Sequence, residues 1–288
     1  MTKVAFVLSL GFAVAVTPVA AQGNAPAASL LTRASAYVTA FMQDFSTVVA
    51  EERYVQDSRP MPQMDAFGPT GSTSQAQPQH VELRSDLLFV RPDPWSSWLT
   101  FRDVFSVNGR AVRDRADRLT KLFVGPPNAI DAIDRAWAIA RDGYRFNIGS
   151  RDRNVADPLV ALAFLQASYR QRFEFRVDRI DTSRGPDVWI LKFKERSRPT
   201  ILRSADNRDV VSGGRFWIDA ESGRVLQTEL ETSAGDRVLT TFTFDERLGM
   251  DVPAEMRDVA WHEGTVVTGV ATYANFRRFE VLTDETFR

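Results

Sequence analysis

Residues 215–245 read RFWIDAESGRVLQTELETSAGDRVLTTFTFD, and their periodicity decides the fold. Val238, Thr240, Phe242 and Phe244 recur at every second position, and Leu226 and Leu230 are set against Gln227, Glu229 and Glu231. A period of two is that of a strand showing one face to a core and the other to water. Glu221-Ser222-Gly223 and Ala234-Gly235-Asp236 place turn formers between the runs. Strands in such close succession pair most economically as antiparallel neighbours.

Outward from this stretch the same reading gives strands at 173–177, 188–194, 200–204, 255–261 and 265–281, a long meander. Upstream, 81–91 and 97–107 are strands, and the second runs into Asn108-Gly109, whose tolerance of positive φ marks a type I′ hairpin. Helices are fewer. Leu30, Leu31, Ala34, Tyr37, Val38, Phe41, Met42 and Phe45 follow a helical period, and the chain then passes into a first strand reaching Tyr54-Val55. A short helix is predicted over 113–124 and another over 128–141, capped by Asn128. A further one starts at Asp157-Pro158, a cap followed by proline at the first helical position. Its residues Leu159, Leu162, Phe164 and Leu165 fall in a run without charge, so it is buried on most sides or covers something apolar. The fold class is α+β, a large curved antiparallel sheet with helices clustered on one side.

The chain has 288 residues, 44% hydrophobic and 25% charged, enough for a substantial core. A net charge of -1 supplies no field for nucleic acid or anionic lipid. Cysteine is absent and His80 and His262 are the only histidines, which removes disulfides, thiolate chemistry and a multi-histidine metal cage. There is no GxSxG, HExxH, Walker loop or GxGxxG, so binding is expected rather than catalysis, with no cofactor and no metal. Glu51-Glu52 and the Asp206, Asp209 pair are expected to be solvated, and His262-Glu263-Gly264 to be a turn. Residues 1–21 have the pattern of a secretory signal peptide: Lys3, an apolar run from Val4 to Val16, a Thr17-Pro18 break and Val19-Ala20-Ala21 before the cut. The expected mature chain, 22–288, is a single domain with a flexible insertion at about 57–79, and no later segment is long and apolar enough to span a membrane.

Residues 88–119 open with Leu88-Phe89-Val90-Arg91-Pro92-Asp93-Pro94, continue through Trp98-Leu99-Thr100-Phe101 and Val107-Asn108-Gly109-Arg110, and end in Asp117-Arg118-Leu119. This resembles the signature of periplasmic lipoprotein carriers, and Phe41-Met42-Gln43 is similar to their Phe-x-Gln. Phe216-Trp217-Ile218-Asp219 with Ser222-Gly223-Arg224-Val225 resembles a hairpin shared with a sigma-factor regulator and with mycobacterial lipid-binding lipoproteins. The resemblance implies a half-open β-barrel whose concave apolar face is lidded by helices and takes an acyl chain or another hydrophobic ligand. It implies ligand or lid roles for Trp98, Phe101, Leu159, Leu162, Phe164 and Leu165, and for Arg91 a hydrogen-bonded link between barrel and lid. On this reading the protein is an exported, periplasmic or secreted carrier or sensor of lipid, lipoprotein acyl chain or apolar peptide, with another envelope protein as a further partner. The alternative is an envelope scaffold whose sheet is fully packed and has no ligand cavity.

Overall fold

The structure, a computed structural model, describes residues 25–46, 48–61, 77–90, 99–114, 142–149, 155–204, 206–262 and 264–278. Helix α1 (Ala25–Phe45) leads into β1 (Val48–Pro60), β2 (Gln79–Val90), β3 (Leu99–Val107) and β4 (Arg110–Ala111). A 3₁₀ turn (Tyr144–Phe146) and two single helical turns, α2 (Val160–Ala163) and α3 (Ala167–Arg170), follow. The rest is β: β5 (Phe173–Ile180), β6 (Val188–Glu195), β7 (Leu202–Arg203), β8 (Asp209–Val210), β9 (Ser212–Asp219), β10 (Val225–Thr232), β11 (Arg237–Asp245), β12 (Met250–His262) and β13 (Thr265–Arg278).

Eleven strands form one sheet in the order β4-β3-β2-β1-β13-β12-β11-β10-β9-β6-β5, every pair antiparallel, and β7-β8 make a separate ribbon. The sheet is open, with β4 and β5 at its two edges. Bulges at Val49/Glu51, Arg84/Ser85, Val177/Arg179, Val225/Gln227 and Thr241/Phe242 interrupt the ladders, and each adds local twist and bend. Pro253 lies opposite Phe242 at the last of these, a place where its missing N–H is tolerated and β12 can begin at Met250.

α1 supplies the core's central ridge. Leu30, Ala34, Val38, Phe41, Met42 and Phe45 are buried at three- and four-residue intervals and join Leu83, Leu87, Phe216, Leu230 and Met256 of the sheet. Phe41 stacks on Phe45 at 5.4 Å and meets Phe242 edge-on at 6.0 Å. Tyr37 Oη donates to Asp251 Oδ2 at 2.7 Å, and Arg224 Nη2 donates to the same carboxylate at 2.6 Å, so one buried acid ties α1 to β12. Burial, aided by Asp251, raises the Tyr37 phenol far above its ordinary value, which keeps it a donor.

Several expectations change. β1 and β2 enter the segment read as a loop: Asp57 pairs with His80 and Ser58 with Gln79, because β1 lies between β2 and β13 and its ladder continues on both sides. β10 meets water only near its end, at Glu231: Gln227 and Glu229 are buried, since β10 lies between β9 and β11, with Trp217 paired beside Gln227 and Arg215 bonded to Glu229. Phe244, expected inside, is half exposed, with Arg224 over its ring at 5.9 Å. The helix expected from Asp157-Pro158 is reduced to α2 and α3, because Asp157 Oδ1 accepts from Leu159 N–H in a local turn and Gln166 is extended. The signal segment 1–21, most of the insertion (62–76), Arg91, Trp98, the helix at 128–141 and most of 113–124 lie outside the described residues.

Candidate functional site

The inward face of β1 changes character along its length. Val48 and Ala50 are apolar, whereas Glu52, Tyr54, Gln56 and Ser58 are polar, and all six are buried. Register fixes what lies beside them: Ser85 and Tyr273 flank Glu52, Leu83 and Ala271 flank Tyr54, and Gln56 has Gly269 on one side. Leu87 on β2 pairs with Arg102 on β3, so alternation turns Arg102 inward and Phe101 to the opposite face. Phe101, expected at the ligand, is buried but does not share the inner surface; the inward side chain at that point of β3 is Arg102.

Arg102 and Glu52 form a closed ion pair, with side chains 3% and 0% exposed. Arg102 Nε and Nη2 both donate to the Glu52 carboxylate, the latter at 2.8 Å, and Ser85 Oγ donates to Glu52 Oε2 at 3.0 Å. The guanidinium lies over the Tyr54 ring at 5.0 Å and the Tyr144 ring at 6.0 Å. Burial alone would lower the Arg102 pKa, but the charge and hydrogen bonds of Glu52 outweigh it, so the guanidinium stays protonated. Glu52, expected in solvent, is therefore among the most enclosed acids of the chain, because its partner is supplied from β3 fifty residues away.

Arg102 also reaches out of the sheet. Its Nη2 donates to the Ala156 carbonyl at 3.2 Å, just before the apolar run 159–165. Gln56 makes the second link, donating from Nε2 to Asn147 Oδ1 at 3.2 Å and accepting from Ile148 N–H at 3.1 Å. Asp157 completes the attachment through the Thr100 hydroxyl; desolvation raises its pKa above the ordinary 3.8 against the pull of Thr100, the Leu159 N–H and Arg102. Segments 142–149 and 155–165 are thus fastened over the inner face by polar contacts at one end. Beyond that end, Leu159, Leu162, Phe164 and Leu165 are all at most 1% exposed and belong to the same core as α1 and the sheet. Phe164 packs on Phe173 at 4.7 Å and on Phe193 at 5.8 Å.

On the other side of Tyr54, its hydroxyl donates to Asp258 Oδ1 at 2.7 Å. Gly269 makes this contact possible: a Cβ there would collide with the Asp258 carboxylate and come within 2.5 Å of the Tyr54 ring. The structure buries the four apolar residues of 159–165 in one core, and sequence reasoning missed Arg102, Glu52, Tyr54 and Gln56. The available signal was polar residues at every second position from 52 to 58, on the face that Val48 and Ala50 begin as apolar. No group of acidic, histidine or cysteine side chains suited to a metal ion occurs among the described residues, and no helix among them is long and apolar enough to cross a membrane.

No protein-family model and no curated protein matches the chain. Among solved structures it is similar to an outer membrane lipoprotein-sorting protein domain from Vibrio parahaemolyticus, at 10% identity and TM-score 0.38, over 86% of this chain and 93% of that one. At that level the likeness carries no statement about ligand or partner, and the reading that follows rests on the residues.

Proposed function

We propose that the chain is an exported envelope protein that holds a hydrophobic ligand, such as a lipid, an acyl chain or an apolar peptide, between the inner face of its sheet and segments 142–149 and 155–165, as a carrier or sensor. The observation that carries this reading is the way the covering segments are attached. Their contacts with the sheet at one end are hydrogen bonds with the buried Arg102 guanidinium and the Gln56 amide, while the run they hold in place is wholly apolar. The Glu52–Arg102 pair lies within the sheet, between β3 and β1, and it orients the guanidinium that reaches out to the Ala156 carbonyl. This polar link seats the cover on the sheet, and the apolar run offers the cargo a surface. The signal-like residues 1–21 and the carrier-like residues 88–119 support export and the same class of ligand.

A second reading is favoured by one specific feature. Leu159, Leu162, Phe164 and Leu165 are packed as tightly as any core residues, as expected of a scaffold with no cavity. Native mass spectrometry of protein purified from the periplasm, with titration by a fluorescent fatty acyl probe, separates the two. Co-purifying lipid and saturable binding are expected; a clean apo mass with no probe binding gives the scaffold.

A further inference from the structure

β5 closes one end of the sheet, and among the described residues no strand pairs with its outer edge. Its phase against β6 is fixed, because the Arg196 N–H donates to the Arg172 carbonyl at 2.8 Å and the register then runs without a break from Phe173 to Val177. In an antiparallel ladder alternate residues bond to one neighbour, so 172, 174 and 176 turn their backbone groups to β6. Phe173, Phe175 and Val177 therefore turn their N–H and C=O groups outward, as a row that no strand takes up. The stretch has no proline, and its first bulge comes only at Val177/Arg179, so neither of these devices blunts the edge.

The side chains say which strand fits. Glu174 and Arg176 are exposed on one face, and Phe175 and Val177 are half-buried on the other. Arg176 has no hydrogen bond or ion pair among the described residues, and Glu174 holds Arg196 at 2.7 Å with more than half of both side chains in water. Antiparallel pairing of β5 with itself about Phe175 lets the outward groups of 173, 175 and 177 meet those of a second copy. In that register Phe173 lies against the partner's Val177, and Glu174 faces the partner's Arg176 in close, non-hydrogen-bonded pairs with Cα atoms about 4.5 Å apart. Centring the pairing on 174 or 176 instead loses the outward bonds and sets Glu174 or Arg176 against its own copy. We propose that the β5 edge is a homodimer interface, at which two copies pair about Phe175 and one sheet continues into the other. The paired stretch 173–177 buries far less than a standard interface, so the dimer is weak and forms with concentration.

Sedimentation velocity from about 1 to about 300 μM tests this, and the protein is expected to pass from monomer to dimer across that range. Glu174→Arg and Arg176→Glu each set like charges opposite one another twice per dimer and should weaken association about tenfold. The double variant Glu174→Arg/Arg176→Glu restores the opposed pairs and should recover most of the loss, which damage to the fold of one copy would not do. Residue-resolved amide exchange adds a second sign. Protection of the Phe175 and Val177 amides should rise with concentration, while Glu174 and Arg176, already bonded to β6, should change little. A chain that stays monomeric throughout, a dimer indifferent to both single reversals, or a double variant no stronger than the single ones overturns the proposal. A monomer whose Phe175 and Val177 amides are protected only by an added extended peptide also overturns it, and gives the edge to the strand of another protein.

Discussion

Replacing Arg102 with methionine leaves the fully enclosed Glu52 carboxylate with Ser85 as its remaining donor among the described residues and should destabilise the protein by about 3–5 kcal/mol in urea denaturation. Removing both charges in Glu52→Met/Arg102→Met should recover most of that loss, because the desolvation of the pair offsets much of its attraction. A double variant as unstable as the sum of the single ones would show instead that the pair stabilises the fold in its own right. Asp157 gives a pH signature. Its folded pKa lies above 3.8 because of burial, so the folded state binds the proton more tightly than the unfolded one. Its contribution is therefore fully present below pH 3.8 and is lost as pH rises through the folded value. Asp157→Asn keeps the acceptor for Leu159 N–H, and its stability relative to the parent should rise across that window; a difference that is flat with pH would remove desolvation as the cause. Glu52 shows why such residues were illegible. Alternation places its side chain opposite that of Glu51, but whether that side meets water depends on Arg102, which the sequence sets fifty positions away and the register of β1, β2 and β3 brings back.

The elements were legible where the signal was local. Asn108-Gly109 has both residues at positive φ, 49° and 76°, as the hairpin reading requires, and β11 runs over the residues assigned to it from alternation. The turn at Glu221-Ser222-Gly223 was legible too, but its second role was not. Gly223 sits at φ 78°, and a Cβ there would lie 2.5 Å from the Arg33 backbone of α1, so the β9-β10 hairpin seats directly on the helix. Gly109, at φ 76°, has nothing within 4 Å of such a Cβ. Gly109→Ala should then cost only the left-handed strain, about 1–2 kcal/mol, whereas Gly223→Ala should exceed it by more than about 1 kcal/mol through displacement of α1. Equal losses in denaturant titration would mean that the helix yields without cost. The β7-β8 ribbon was only half visible, since Asp209 reads as a polar loop residue. Its carboxylate accepts from Thr200 N–H at 2.8 Å and from Arg203 Nη1 at 2.8 Å, and this local closure makes the strand.

At the scale of the whole molecule the decisive contact joins the two ends of the sequence. β1 pairs with β2 on one side and β13 on the other, so the first and last strands are neighbours and the two hairpin blocks become one sheet. No local pattern encodes that pairing; it follows from β1 being apolar and polar in the right order to match Ala271, Gly269 and Val267 across from it. The consequence is cooperative. β1 has ladder partners along both edges and carries Glu52, Tyr54 and Gln56, while β5 is an edge strand, bulged at Val177/Arg179 and exposed over most of its outer half. Amide exchange should therefore be slowest in β1, β12 and β13, at the global unfolding limit, and faster in β5, which opens without the rest. Truncation after residue 264 should abolish the folded state rather than remove one strand, because it strips one whole edge of β1 and takes away Tyr273 and the Gly269 gap that admits the Tyr54–Asp258 contact. A truncated chain that keeps a cooperative thermal transition, or a β5 as protected as β1, would show that the two blocks fold independently and that the polar cluster between them is not the joint holding the sheet together.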